Sequence, residues 1–343
     1  MANVLLTSKC VRSCPYCFAK KEMDEKSPED IISWENLLYL ADFFELSDEN
    51  FVSLLGGEPT LHPQFTDIVL YLIERDMKVN IFTSGIMSDK RLEELKKYLT
   101  KISPEQLSFV CNLNNPKQTP TPKEELEKVH KFLSVMGPWT EPGFNIYRTD
   151  FEIDFIFDLL IRYGMHHGLR LGISSPVPGY DNIFIRPEEI KGVIDRLYSY
   201  RELFDRFQLG PGLDCGFPLC SFNDEQLGWI FRTTGQIDFG CGPALDITPD
   251  LEIYSCFPMS SYHRRSIFEF DNMNQISEYF NNLHQQIRNE VAGIYDECQD
   301  CAYLKTMRCS GGGVCQILNH FVKEAPVRFQ EIEDGLSKHS LTV

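Results

Sequence analysis

The stretch Ala2-Asn3-Val4-Leu5-Leu6-Thr7-Ser8-Lys9-Cys10-Val11-Arg12-Ser13-Cys14-Pro15-Tyr16-Cys17 sets two signals side by side. Ala2 to Thr7 is an apolar run of the length of a buried strand, and it opens directly into a loop carrying three thiols. In parallel α/β architectures ligands bind at the C-terminal ends of strands, so this loop stands where a site is built. The same strand-then-helix pattern continues outward from it. Strands are expected at Asn50–Leu55, Lys78–Thr83, Leu107–Leu113, Phe144–Tyr147 and Leu169–Ser174. Helical patterns alternate with them at Ser33–Leu46, Pro63–Arg75, Asp89–Leu99, Pro122–Met136, Phe151–Tyr163 and Pro187–Phe207. Such alternation requires parallel strands joined by right-handed crossovers. Six units, against the eight of a closed barrel, predict an α/β fold built as a partial (β/α)6 TIM-like barrel, with a doubly wound open sheet as the competing arrangement.

After about residue 206 the alternation stops. Pro211, Pro218, Pro243, Pro249 and Pro258, with many glycines, divide the chain into short pieces, and cysteines are dense there. The expectation is a small, irregular, cysteine-rich domain at 206–343 whose fold is held by metal, following a barrel domain at 1–205, with the boundary at the turn Gly210-Pro211-Gly212. The 343 residues carry 33 Lys and Arg against 50 Asp and Glu, a net charge of −17. A surface that acidic repels phosphate backbones, which argues against a nucleic-acid partner. No apolar stretch approaches the ~20 residues of a membrane span, and the N-terminus lacks the basic segment of a secretory signal. A cytoplasmic protein with no membrane partner is expected.

Twelve cysteines are many for a chain long enough to build its own core. In a reducing compartment, clustered cysteines are metal ligands more often than disulfides. Cys10, Cys14 and Cys17 form one group, Cys111 stands alone, and Cys215, Cys220, Cys241, Cys256, Cys298, Cys301, Cys309 and Cys315 form the rest. Three thiolates with no fourth nearby would leave one iron of a four-iron, four-sulfur cubane open to bind and activate a substrate. A zinc knuckle or incidental core thiols are the plainer alternatives; a closed zinc site wants four ligands.

Cys-x3-Cys-x2-Cys with the aromatic Tyr16 before the last cysteine resembles the signature of the radical SAM superfamily. Leu55-Gly56-Gly57-Glu58-Pro59-Thr60, at the end of the second strand, resembles that family's second motif. The resemblance implies that Cys10, Cys14 and Cys17 hold the cubane, whose open iron chelates the amino and carboxylate groups of S-adenosylmethionine. Paired glycines allow close backbone approach to a ligand, and Glu58 can accept a charge-assisted hydrogen bond from an ammonium group. Tyr16, Gly56, Gly57, Glu58, Ser84, Asn112, Asn145 and Arg170 are the expected cofactor-binding positions. Asn112 and Asn114 share one strand face while Cys111 points to the other, which makes Cys111 a buried structural thiol or, more sharply, a hydrogen-atom donor.

The C-terminal cysteines resemble the SPASM extension, which carries auxiliary iron–sulfur clusters. The spacing from Cys298 is x2, x7 and x5, whereas the family's is x2, x5 and x3. Leu251 stands where a glycine is expected, and no cysteine follows Cys315, while Cys215 and Cys220 supply two extra thiols upstream. Eight thiols suit two fully ligated clusters; a single cluster with surplus thiols, or a zinc ribbon of Cys298, Cys301, Cys309 and Cys315, are the alternatives.

The resemblance implies reductive cleavage of S-adenosylmethionine to methionine and a 5′-deoxyadenosyl radical, followed by hydrogen abstraction from a substrate carbon. Enzymes with this extension mostly modify peptides or proteins, so a maturase of a ribosomally made peptide is the favoured expectation, forming a crosslink, an epimer or an oxidised residue. A separate leader-binding protein is expected, because the motif begins at Cys10, together with a reductase such as flavodoxin or ferredoxin. A sulfatase maturase, a dehydrogenase of a small alcohol or sugar, and a non-catalytic electron carrier are the other readings. Asp150, Asp154, Asp181 and Tyr180 lie near element ends, where helix caps and solvated faces are the ordinary roles. His263-Arg264-Arg265 is a small basic patch that fits a surface loop or an acidic peptide.

Overall fold

The computed structural model describes residues 2–27, 30–166, 168–235 and 239–324. Seven parallel strands form its centre: β1 (Ala2–Thr7), β2 (Phe51–Gly56), β3 (Lys78–Thr83), β4 (Leu107–Asn112), β5 (Thr140–Ile146), β6 (Gly168–Ile173) and β7 (Gly210–Leu213). Three short strands, β8 (Asp246–Ile247), β9 (Glu252–Tyr254) and β10 (Arg265–Ser266), extend the sheet at the other end. The order is β10-β9-β8-β1-β2-β3-β4-β5-β6-β7, with β8 parallel to β1 and β9 and β10 antiparallel to their neighbours. The ends do not meet, so the sheet is an open partial barrel.

The helices are α1 (Lys20–Glu25), α2 (Trp34–Leu46), α3 (Phe65–Glu74), α4 (Asp89–Lys96), α5 (Lys123–Met136), α6 (Asp154–Tyr163), α7 (Ile190–Ser199), α8 (Arg201–Phe207), α9 (Asp224–Thr234), α10 (Met273–Glu290), α11 (Ala302–Lys305) and α12 (Val314–Glu324). Those between strands lay apolar faces on the outer side of the sheet: Val4, Leu6, Val52 and Leu54 pack with Leu37, Leu40, Phe65 and Val69. Alternation then turns Asn3, Leu5, Ser53 and Leu55 toward the inner, concave side. Among the described residues no helix is long and apolar enough to cross a membrane.

Strands and helices up to residue 207 fall close to their expected places, with three informative differences. β5 begins at Thr140 and runs through Pro142-Gly143, a dipeptide that in isolation reads as a turn; pairing with β4 and β6 holds it extended. Gly210-Pro211-Gly212 is likewise a strand and not a turn. It is the edge strand β7, where a proline costs no ladder bond on its open side. The expected single helix over 187–207 divides into a short turn of 3-10 helix, α7 and α8.

The C-terminal part is more regular than its prolines imply. The 18-residue α10 buries Met273, Ile276, Phe280, Leu283 and Ile287, an apolar stripe at helical spacing. α9 starts on the Asn223 cap, whose side chain accepts from the Gln226 amide. With β7 on one edge and β8–β10 on the other, residues after 206 are built onto the same sheet as the barrel strands.

The concave floor is polar. Asp246, Asn3, Ser53, Asn80 and Ser108 occupy one register row across five strands. Asn3 Nδ2 donates to Asp246 Oδ1 at 2.7 Å and Ser108 Oγ to Asn80 Oδ1 at 3.0 Å. Burial pushes the Asp246 carboxyl up to about 7. A raised folded-state value means that the native chain holds a proton that the unfolded chain has released, so stability rises as pH falls through that value. Lowering pH from about 8 to about 5 should therefore stabilise the wild type relative to Asp246→Asn, as read by paired thermal melts. A constant difference between the two chains over that range would remove Asp246 as the titrating group.

Candidate functional site

The loop after β1 carries Cys10, Cys14 and Cys17, all half-buried. It turns tightly, with the Cys17 amide donating to the Cys14 carbonyl at 3.1 Å and the Arg12 amide to Cys10 Sγ at 3.5 Å. Burial, with the neighbouring thiols adding to it, pushes Cys10 up to about 11 and Cys17 up to about 12. Ionising three half-buried thiols so close together needs a cationic partner among them, which is the chemistry of a metal or cluster ligand set. Arg12, inside the loop, ties it to the end of β4: its Nη1 donates to the Asn112 carbonyl at 3.1 Å, and Nε faces Glu125 at 3.4 Å. Tyr16 is buried, donates to Asn114 Oδ1 at 2.6 Å and stacks on Tyr147 with centroids 4.6 Å apart.

The Gly56-Gly57-Glu58 segment lies alongside this loop. The β1–β2 register shifts after Leu5, so that the Gly57 amide donates to the Thr7 carbonyl and the Glu58 amide to the Lys9 carbonyl, each at 2.8 Å. A Cβ on Gly57 would stand 2.3 Å from the Lys9 oxygen. The paired glycines thus bring the segment against the chain's own backbone, where close approach to a ligand was the expected reason for them. Glu58 is 1% exposed, and its carboxylate accepts from Thr60 Oγ1 and Thr83 Oγ1 at 2.8 Å, from the Ser84 amide at 2.8 Å and from Ser84 Oγ at 2.6 Å. Ser84 therefore orients Glu58.

Asn112, Asn145 and Arg170 stand on the concave side of β4, β5 and β6. Arg170 Nη2 pairs with Asp214 Oδ2 at 2.9 Å and lies 4.6 Å from the Phe82 ring centroid. A Cβ on Gly172 would sit 3.0 Å from both Asn145 Oδ1 and Asp214 Oδ2, so these polar groups meet over a bare stretch of β6. Burial raises both Asp214 and Glu141 above the ordinary carboxylate range. Toward β1–β3 the lining is apolar, with Leu5, Leu55 and Phe82. At the mouth, a cavity of about 420 Å³ is lined by Tyr147, Arg148, Asp150, Asn182, Phe184 and Arg186. Cys111 is fully buried on the other face of β4, against Gly85, with burial pushing it up to about 12.

The eight C-terminal thiols sort into two sets of four. Cys215 hydrogen-bonds to Cys241 and lies near Cys256 and Cys315. Cys220 lies near Cys298, Cys309 and Cys301. That bond holds Cys215 above the usual thiol range and Cys241 below it, with Arg288 nearby also lowering Cys241. Backbone amides point at sulfur in both sets: Val314 to Cys241 Sγ at 3.4 Å, and Leu219 and Gly311 to Cys309 Sγ at 3.5 and 3.4 Å. The zinc ribbon of Cys298, Cys301, Cys309 and Cys315 is not assembled, because Cys315 sits with the other set. Among the described residues no three His, Cys, Asp or Glu side chains converge on a point that could hold one metal ion. Each set is made only of thiols, the ligand type that iron–sulfur clusters take.

The remaining sequence candidates do structural work. Asp150 pairs with Arg148 at 2.5 Å, Asp154 accepts from Tyr200 and Tyr180 donates to Asp24. Arg264, from the basic patch, bridges Glu22 behind the first cysteine loop and Glu252 on β9. Asp214, Arg12, Tyr147, His284 and Arg288 were not singled out from the sequence; Asp214 directly precedes Cys215, the one signal that pointed to it.

Comparison with known proteins agrees with this geometry. The sequence pattern described as the radical SAM superfamily matches residues 4–132. PqqA peptide cyclase of Gluconobacter oxydans is 33% identical over 92 residues, 26% of this chain and 25% of that protein. The first curated relatives are matched over between 15% and 32% of their own length. Among solved structures, Streptococcus suis SuiB bound to the precursor peptide SuiA has a TM-score of 0.64 at 17% identity, covering 94% of this chain and 73% of SuiB. Native anSMEcpe with bound AdoMet and the Cp18Cys peptide has a TM-score of 0.61 at 14% identity, covering 98% and 99%. The three-thiol loop and the Gly-Gly-Glu segment both lie inside the matched residues, so residues 4–132 of this chain carry a radical SAM domain, and a cysteine-rich C-terminal region follows it.

Proposed function

We propose that the chain is a peptide-modifying radical SAM enzyme with one S-adenosylmethionine-binding cluster and two auxiliary four-iron clusters. The observation that carries this reading is the Cys10–Cys17 loop fastened beside buried Glu58. When bound, the clusters supply the electron that cleaves S-adenosylmethionine and a nearby one-electron acceptor. The residues then have separate tasks. Cys10, Cys14 and Cys17 would hold the first cluster, three ligands for four irons, which would leave it able to bind the cofactor's amino and carboxylate groups. Glu58, oriented by Thr60, Thr83 and Ser84, would accept a hydrogen bond from the cofactor's amino group. Tyr16, Asn112, Asn145 and Arg170 line the rest of the cofactor's bed, while Gly56 and Gly57 seat Glu58 beside the cysteine loop and Ser84 orients it. Cys215, Cys241, Cys256 and Cys315 hold one auxiliary cluster, and Cys220, Cys298, Cys301 and Cys309 the other.

A peptide substrate is supported by the peptide cyclase among the relatives and by the peptides bound to two fold neighbours. The cavity beside Tyr147 and Phe184 is an entrance of suitable size for a peptide segment. A separate leader-binding protein, a flavodoxin or ferredoxin as reductant, a cytoplasmic location and division into units at 1–205 and 206–343 complete the proposal.

Iron counting tests the cysteine assignment on oxygen-free, reconstituted chain. The wild type should hold about twelve irons, and Cys14→Ala about eight with no cleavage of S-adenosylmethionine. Cys215→Ala with Cys241→Ala should cost about four irons, whereas Cys215→Ala with Cys220→Ala should cost about eight. Equal losses from the two double variants would refute the sorting. Glu58→Gln, which replaces an acceptor-only group with one that also donates, should weaken S-adenosylmethionine binding about tenfold or more at unchanged iron. Unaltered affinity by calorimetry would take Glu58 out of the cofactor's bed.

A further inference from the structure

His284 and Arg288 lie four residues apart on α10 and so share a helix face. His284 is buried; its Nε2 meets Ser255 Oγ at 2.6 Å and its Nδ1 lies 3.3 Å from the Cys241 carbonyl. Arg288 donates from Nε to the Ser310 carbonyl at 2.9 Å, and from Nη2 to the carbonyls of Cys241 at 3.4 Å and Gly312 at 3.3 Å. Ser310 and Gly312 belong to the link between Cys309 and Cys315. One guanidinium therefore joins the Cys241 loop to a segment that serves both thiol sets.

Its partners differ from those of the arginines at the barrel site and behind its cysteine loop. Arg12 faces Glu125, Arg170 faces Asp214, and Arg264 faces Glu22 and Glu252. Among the described residues, Arg288 has neutral carbonyls as partners and no carboxylate within 4 Å. A guanidinium is always charged, and carbonyls orient it without neutralising it. That charge acts on its surroundings across a half-buried medium, where Coulomb interactions exceed those in water. Cys241 is what lies there, its carbonyl 3.4 Å from Nη2 and its sulfur within the reach of the charge.

We propose that Arg288 is a positioning residue that raises the reduction potential of the cluster held by Cys215, Cys241, Cys256 and Cys315, with His284 fixing Ser255 and the Cys241 carbonyl. Adding an electron to a cluster adds negative charge, and a fixed cation nearby favours that addition; charge is one of the protein's levers on cluster potential. The inference rests on the two-cluster reading above. Its consequence is that this cluster is the readier for having Arg288 beside it to receive an electron from within the barrel.

The test is a redox titration of the oxygen-free, reconstituted full chain, followed by paramagnetic resonance, with iron counted in each sample. Arg288→Gln should keep its iron and shift one auxiliary midpoint to a more negative potential, leaving the signal of the Cys10–Cys17 cluster in place. Arg288→Lys, which keeps the charge and loses the fork, should stay near the wild-type midpoint. Full iron with an unmoved midpoint in Arg288→Gln overturns the proposal. If Arg288→Gln loses iron, Arg288→Lys decides: full iron with a wild-type midpoint supports the charge, and lost iron or a displaced midpoint overturns it. Wild-type chain without auxiliary signals would instead refute the two-cluster reading, a distinct outcome.

Discussion

Two backbone hydrogen bonds, from Gly57 to Thr7 and from Glu58 to Lys9, hold the site together. They form where the β1–β2 register shifts, and they extend strand pairing past the end of the sheet into the cysteine loop. Because of them, Glu58 is fixed one residue's reach from Cys10 and inside a shell of hydroxyl and amide donors from Thr60, Thr83 and Ser84. A buried carboxylate with that many donors has one orientation. The loop on its other side is clamped by Arg12 and by the Tyr16–Asn114 bond, so the three thiols are presented by a rigid rim.

The concave side of the sheet is divided. Leu5, Leu55 and Phe82 make an apolar wall on β1–β3, and Arg170, Asp214, Glu141 and Asn145 make a polar one on β5–β7. β7 ends at Leu213, Asp214 follows, and Cys215 begins the first thiol set, so the polar wall leads directly into the cysteine-rich part of the chain. The C-terminal residues are thus joined to the barrel at three places: through β7, through β8 beside β1, and through Arg264 against Glu22. Each join sets thiols near the mouth of the barrel without relying on metal alone.

Much of this was legible in residue order. Strand and helix periodicity placed the first six strands, and the spacing of Cys10, Cys14 and Cys17 with Gly56-Gly57-Glu58 marked two segments that the structure brings side by side. The misplaced elements share a cause. Pro142-Gly143 and Gly210-Pro211-Gly212 carry turn chemistry, and neighbouring strands override it. α10 carries a helical stripe of Met273, Ile276, Phe280, Leu283 and Ile287 in the sequence itself, within a stretch whose prolines and cysteines break the pattern on either side.

What the sequence determined by itself is local: which thiols lie on one loop, which residues alternate on one strand face, and which family the two motifs resemble. Those properties depend on covalent spacing and backbone period, which survive in any fold. Tertiary structure alone decided that Cys220 joins Cys298, Cys301 and Cys309, that Cys315 leaves them for Cys215, Cys241 and Cys256, and that Arg170 meets Asp214. These are encounters between residues tens to about a hundred positions apart. Chain separation says nothing of them, because sheet order and helix docking bring such residues together.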